Sequence, residues 1–155
     1  MTFLDDERTD AVALHNKARS YLRSARYLNA ASPGVSCSHA GVTFLFCHAI
    51  ELFLLSYLRA HGGEGAELDN LNRRVAATTS RAVGAGLKLH PDVVATLSQI
   101  AETLTSIEVR YIVTGVKQIP NIGPLSNAAQ KLDAAVSKAL VDLGLTLRED
   151  NSHLP

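Results

Sequence analysis

His48 and Glu51 stand three residues apart within Phe44 to Leu58, a stretch whose one other polar residue is Ser56. At helical spacing the two side chains share a face. An unpaired carboxylate in such surroundings is expensive, so Glu51 must be paired, protonated or close to water. Arg59 follows eight positions later, about two helical turns along. Two roles fit this acid and its histidine: a structural bond that fixes helix register, or a polar pair that holds a ligand.

A second group is electrostatic. Arg19, Arg23 and Arg26 recur at helical spacing and share a face. They read either as a solvated surface or as a stripe that contacts phosphates. The whole chain carries fifteen basic and fifteen acidic residues, which argues against a strongly basic nucleic-acid binder. The charges are nonetheless uneven. From Ala11 to Ala60 the basic residues are Lys17, Arg19, Arg23, Arg26 and Arg59, with only Glu51 opposing them. A local basic face is therefore compatible with a neutral molecule.

Other chemistry is sparse. Cys37, His39, Cys47 and His48 lack the paired spacing of a zinc site. Ten residues of helix would separate the two cysteines by about 15 Å, beyond disulfide reach. Reduced thiols in a cytosolic protein fit best. Gly62-Gly63-Glu64-Gly65 reads as the exit of a helix and not as a nucleotide cradle, since no Lys-Ser/Thr follows. There is no paired-acid constellation and no serine in an elbow context. No metal or cofactor is expected.

The elements that would position these residues read as helices. The stretch from Gly41 to Gly63 is apolar on nearly all sides and belongs at the centre of a bundle. Ser36 or Ser38 would cap it, Gly41 offers close approach to a neighbour, and Gly62 sits where a left-handed C-cap is usual. Before it, a helix from about Asp6 to Ala31 buries Ala11, Leu14, Ala18, Tyr21, Ala25 and Leu28, with acids at its positive end. After it, a shorter helix from about Glu67 to Val83 turns Leu68, Leu71, Val75 and Ala82 inward. Pro91 opens a long helix with a seam at Val93, Leu97, Ile100, Leu104, Ile107 and Tyr111. A loop through Pro120 and Pro124 precedes a last helix capped by Ser126, with Ala129, Leu132, Val136, Ala139, Leu140 and Leu143 on its core face. The expectation is an all-α, up-and-down bundle of about five helices. One domain spans residues 1–147, and a mobile tail spans 148–155.

This order of elements, with His48-Ala49-x-Glu51-Leu52 and Gly62 in the central helix and Arg110-Tyr111 late in the chain, resembles the HEPN family of small α-helical bundles. The resemblance covers roughly Ala11 to Leu143. Three departures accompany it. Leu55 stands where the family carries a lysine four residues after the acid. Arg73-Arg74-Val75 replaces its His-Asp-Leu. Its ribonuclease signature, Arg-x(4–6)-His, does not follow Arg110. In active members that Arg and His hold the phosphate and assist attack of the 2′-hydroxyl in a cleft shared by a dimer. Two pairs here have the spacing: Arg8 with His15 at the start of the first helix, and Arg148 with His153 in the tail.

The expected function is a non-catalytic, HEPN-like module. It would form a homodimer and bind a partner protein, a nucleotide or RNA, with His48, Glu51, Arg110, Tyr111, Arg19 and Arg23 as binding residues. A toxin-type endoribonuclease using Arg148 and His153 is the alternative, and a purely structural scaffold bundle is the third. The N-terminus has no basic start and no apolar core of a signal peptide. The apolar run, interrupted by His48 and Glu51, is short for a membrane span, so the expected location is cytoplasmic.

Overall fold

From Cys47 to Leu58 every residue except His48 and Glu51 is buried. A helix so apolar has no solvent face to offer, and its neighbours are arranged around it. The structure, a computed structural model, describes residues 10–31, 39–71, 74–103 and 121–147. Among these there are six helices and no strand: α1 (Ala11–Ala31), α2 (His39–Ala60), α3 (Gly65–Leu71), α4 (Val75–Gly84), α5 (Pro91–Thr103) and α6 (Ile122–Asp142). The protein is an all-α bundle.

α2 packs against α1, α6, α4 and α3, and α1 makes the longest of these seams. The Ser56 hydroxyl donates to the Ala11 carbonyl at 2.6 Å, while Tyr21 meets His48 edge to face. Early residues of α1 thus meet late residues of α2, and the two run antiparallel. The core is filled by Phe46, Ile50, Phe53 and Leu54 of α2, Leu14 and Ala18 of α1, and Leu125, Leu132, Val136 and Leu140 of α6. Ala40–Ala60 is long and apolar enough, by length and composition, to cross a membrane. The shortness expected of the run therefore disappears once the helix is measured whole; here most of it is buried against the chain's own helices.

Several boundaries differ from the sequence reading, each for a local reason. α1 begins at Ala11, because Asp10 is its N-cap: the Asp10 carboxylate accepts from the Ala13 amide at 2.7 Å. The single helix expected over Glu67–Val83 is two. Thr78 Oγ1 lies 2.9 Å from the carbonyls of both Leu71 and Arg74, so its hydroxyl serves the break between α3 and α4. α6 starts at Ile122, not at Ser126, with Asn121 in extended conformation before it. Pro124 then falls in the first turn, where its missing N–H costs nothing. On the inner faces, Leu28 and Leu143 prove exposed and His15 and Leu22 take core places in α1. Gly41 faces solvent, with nothing within 4 Å of where a Cβ would stand.

The C-terminus of α2 follows the sequence expectation. Gly62 has φ +88, the Gly62 amide donates to the Arg59 carbonyl, and the Gly63 amide donates to the Leu58 carbonyl. This paired pattern is the Schellman motif, and it answers carbonyls that the helix end leaves unmet.

Candidate functional site: the outer faces of the first two helices

The His48–Glu51 pair forms, at the boundary between core and solvent. His48 Nδ1 lies 3.6 Å from Glu51 Oε2, and the two side chains are 22% and 13% exposed. The acid is thus near water as well as near a base, which resolves the burial problem. Arg59 does not reach it; its guanidinium donates to the Gly63 carbonyl at 3.0 Å. The imidazole stacks on Phe44, with ring centres 5.7 Å apart, and takes Tyr21 edge-on at 4.5 Å. The ring is therefore walled by aromatics from two helices. The sequence places Tyr21 on the buried stripe of the first helix and gives no sign that it and Phe44 flank His48. Beside them Cys47 is buried, and burial first, then the negative charge of Glu51, push its thiol up to about 12. Such a thiol is protonated at neutral pH and is a poor nucleophile.

Arg19 is placed elsewhere. Its Nε donates to Asp133 Oδ1 at 2.9 Å and its Nη2 to Ser137 Oγ at 3.2 Å, both on α6. His15, one turn earlier and 0% exposed, brings Nε2 within 2.9 Å of Ser137 Oγ and 3.2 Å of Asp133 Oδ1. Ser137 itself donates to Asp133 at 3.0 Å. Burial alone would raise the Asp133 carboxyl. Hydrogen bonds from His15 and Arg19, the Arg19 charge and the Ser137 hydroxyl outweigh it and hold the group below its ordinary value.

Serine, histidine and aspartate meet here, but not as a nucleophile triad. A triad uses one ring nitrogen for the serine and the other for the acid. In this network Nε2 faces both partners, and Nδ1 is buried without a hydrogen-bond partner. The serine proton points at the carboxylate, and a fully buried ring meets no substrate. The network joins α1 to α6. Burial of His15 likewise withdraws it from any phosphate, so it has no access to act as the histidine of an Arg8–His15 pair.

Arg23 and Arg26 are exposed on α1, and Tyr27 beside them is 74% exposed. Over its 21 residues α1 has four basic side chains and no acidic one. Lys17, Arg23 and Arg26 are exposed, while Arg19 turns toward α6. Arg110, Tyr111, Arg148 and His153 lie outside the described residues, as do Arg8 and Cys37. Among the described residues, no group of three or more His, Cys, Asp or Glu side chains could hold a metal ion.

The structure thus brings His48 and Glu51 together with Tyr21 and Phe44, and assigns Arg19 to an internal bond. A signal for His15 existed in the sequence. Ala11, His15, Ala18 and Leu22 keep the spacing of a core stripe, and the ring simply occupies an apolar position. Nothing in the sequence marked Asp133 and Ser137 as its partners. Compared with known proteins, the chain matches no family model, no curated protein and no solved structure.

Proposed function

We propose that this chain is a non-catalytic, HEPN-like helical module that works in the cytoplasm, pairs with a second copy and binds single-stranded RNA along the outer face of α1. The observation that carries the reading is the composition of that face. Arg23 and Arg26 are exposed beside the open ring of Tyr27, on a helix without an acid. Arginines track a phosphate backbone, and an exposed tyrosine stacks on a base whatever its sequence. The His48-Ala49-x-Glu51-Leu52 pattern and the Gly62 cap support the kinship. Exposed Val141 and Leu143 at the end of α6 supply an apolar edge for a second copy.

The test is fluorescence anisotropy with a labelled oligouridine at low salt. The Arg23→Ala/Arg26→Ala double variant is expected to weaken binding about tenfold and to flatten the slope of log K against log salt by about 1.4, the value for two phosphate contacts on a single strand. Tyr27→Ala is expected to cost about 1–3 kcal/mol. No binding at low salt, or equal competition by polyglutamate, sinks the RNA reading. The same RNA is expected to emerge intact; cleavage abolished by His153→Ala would instead establish the endoribonuclease. Light scattering that finds only monomer at high concentration removes the second copy.

A further inference from the structure

We propose that Asp133 is a brake on the α1 face: its carboxylate withholds Arg19 from a bound phosphate backbone. The inference rests on the reading of that face as RNA-binding, and it adds what sets the strength of binding there. Arg19, Arg23 and Arg26 follow one another at spacings of four and three, which puts them in one row along α1. Arg23 and Arg26 are exposed. Arg19 is turned aside: its Nε donates to Asp133 Oδ1 at 2.9 Å and its Nη2 to Ser137 Oγ at 3.2 Å. A guanidinium answers a carboxylate and a phosphate in the same way, with N–H donors on anionic oxygens. Asp133 and an RNA phosphate therefore compete for one cation. The carboxylate belongs to the same chain and is already in place, so it holds the advantage.

Two features make this contact releasable and not a fixed part of the core. First, it lies at the edge of the joint: the Arg19 and Asp133 side chains are 23% and 22% exposed. Second, Asp133 does not depend on Arg19. His15 Nε2 stands 3.2 Å from Asp133 Oδ1, and the Ser137 hydroxyl donates to the same oxygen at 3.0 Å. The carboxylate keeps both partners when Arg19 leaves, so no buried charge is stranded and α1 stays joined to α6. The brake is engaged at neutral pH. Against burial, which would raise it, hydrogen bonds from His15 and Arg19 hold the Asp133 carboxyl below its ordinary value and keep it ionised.

The test is a titration with labelled oligouridine across a salt series, run on the full parent chain, Asp133→Asn, Arg19→Ala and the double variant. Asparagine keeps an acceptor oxygen for His15 and Ser137 and lacks the charge that holds Arg19. Asp133→Asn is expected to bind about threefold more tightly, the worth of one exposed ion pair. Its slope of log K against log salt is expected to steepen by about 0.7, one further phosphate contact on a single strand. Arg19→Ala alone is expected to keep the parent's affinity and slope, because the parent does not spend Arg19 on RNA. In the Asp133→Asn background the same change is expected to cancel the gain. If Asp133→Asn does not fold, the parent still answers by NMR: oligouridine is expected to shift the Arg23 and Arg26 Nε–H resonances and to leave that of Arg19 in place. The brake is overturned if Asp133→Asn gains nothing over a parent that binds, or if the Arg19 resonance moves with the other two. It is also overturned if the gain survives Arg19→Ala, which would make it a general effect of net charge. No binding by either chain ends the RNA reading itself, and the brake with it.

Discussion

Arg19 and Asp133 are 114 residues apart in the chain, and the guanidinium Nε sits 2.9 Å from the carboxylate Oδ1. Around this bond His15 and Ser137 complete a polar joint between α1 and α6. Removing the acid takes from the buried imidazole and from the Arg19 guanidinium their one charged acceptor in this joint, and leaves them the Ser137 hydroxyl there. Asp133→Ala is expected to lower stability by about 2 kcal/mol, measured by urea denaturation. Asp133→Asn, which keeps an acceptor oxygen, is expected to cost less.

The same carboxylate sets an acid limb. Its value in the folded chain is held below the ordinary one. The stabilisation it confers is therefore present above the unfolded-chain value, roughly 3.9, and is lost as pH falls through the depressed folded value. Melting temperatures scanned from about pH 6 to about pH 2 are expected to fall less steeply for Asp133→Asn than for the parent chain. Parallel curves would show that the joint does not titrate in this window.

Ser56 is the only polar residue in the buried run from Leu52 to Leu58 apart from the Tyr57 hydroxyl, and it donates to the Ala11 carbonyl at 2.6 Å. The bond pins the start of α1 to the last turns of α2. Ser56→Ala is expected to cost about 1 kcal/mol and to raise amide exchange in the first turn of α1. Loss of stability without that local signature would assign the serine to packing alone.

Gly62 and Gly63 close α2 for different reasons. Gly62 has φ +88 and open space around it, so an added Cβ strains only the backbone conformation. At Gly63 a Cβ would meet the Leu58 carbonyl oxygen at 2.9 Å and Leu68 Cδ2 at 3.1 Å. That oxygen is backbone and also accepts the Gly63 amide, so it cannot move aside. Gly62→Ala is expected to cost about 1–2 kcal/mol, and Gly63→Ala is expected to cost more, by thermal or urea melts. The reverse order would contradict the packing of α3 against this turn.

Cys47 is expected to resist iodoacetamide at neutral pH and to react on unfolding, read by peptide mass spectrometry. Its folded value of about 12 means that the stability it supports is full below the unfolded-thiol value, about 8.5, and is lost as pH rises from there toward the folded value. Glu51→Gln removes the smaller of the two causes. Alkylation of folded Glu51→Gln is therefore expected to rise only slightly, because burial remains.

Local pattern was enough to specify the all-helical class and the central helix, though not the break between α3 and α4 or the start of α6. The apolar density of Phe44–Leu58, the three-four spacing of Val93, Leu97 and Ile100, and Pro91 and Gly62 at their helix ends each act within a few residues, and each is visible in the chain. The adjacency of His48 and Glu51 was legible for the same reason: one helical turn fixes it. What the chain alone could not decide are the relations that need two helices at once. Arg19 could equally serve a phosphate or an aspartate until α6 is laid beside α1. Tyr21 becomes a wall for His48 only when α1 and α2 run antiparallel. Periodicity states which face of a helix turns inward; which neighbour that face meets, and in what register, is settled by packing summed over the whole core.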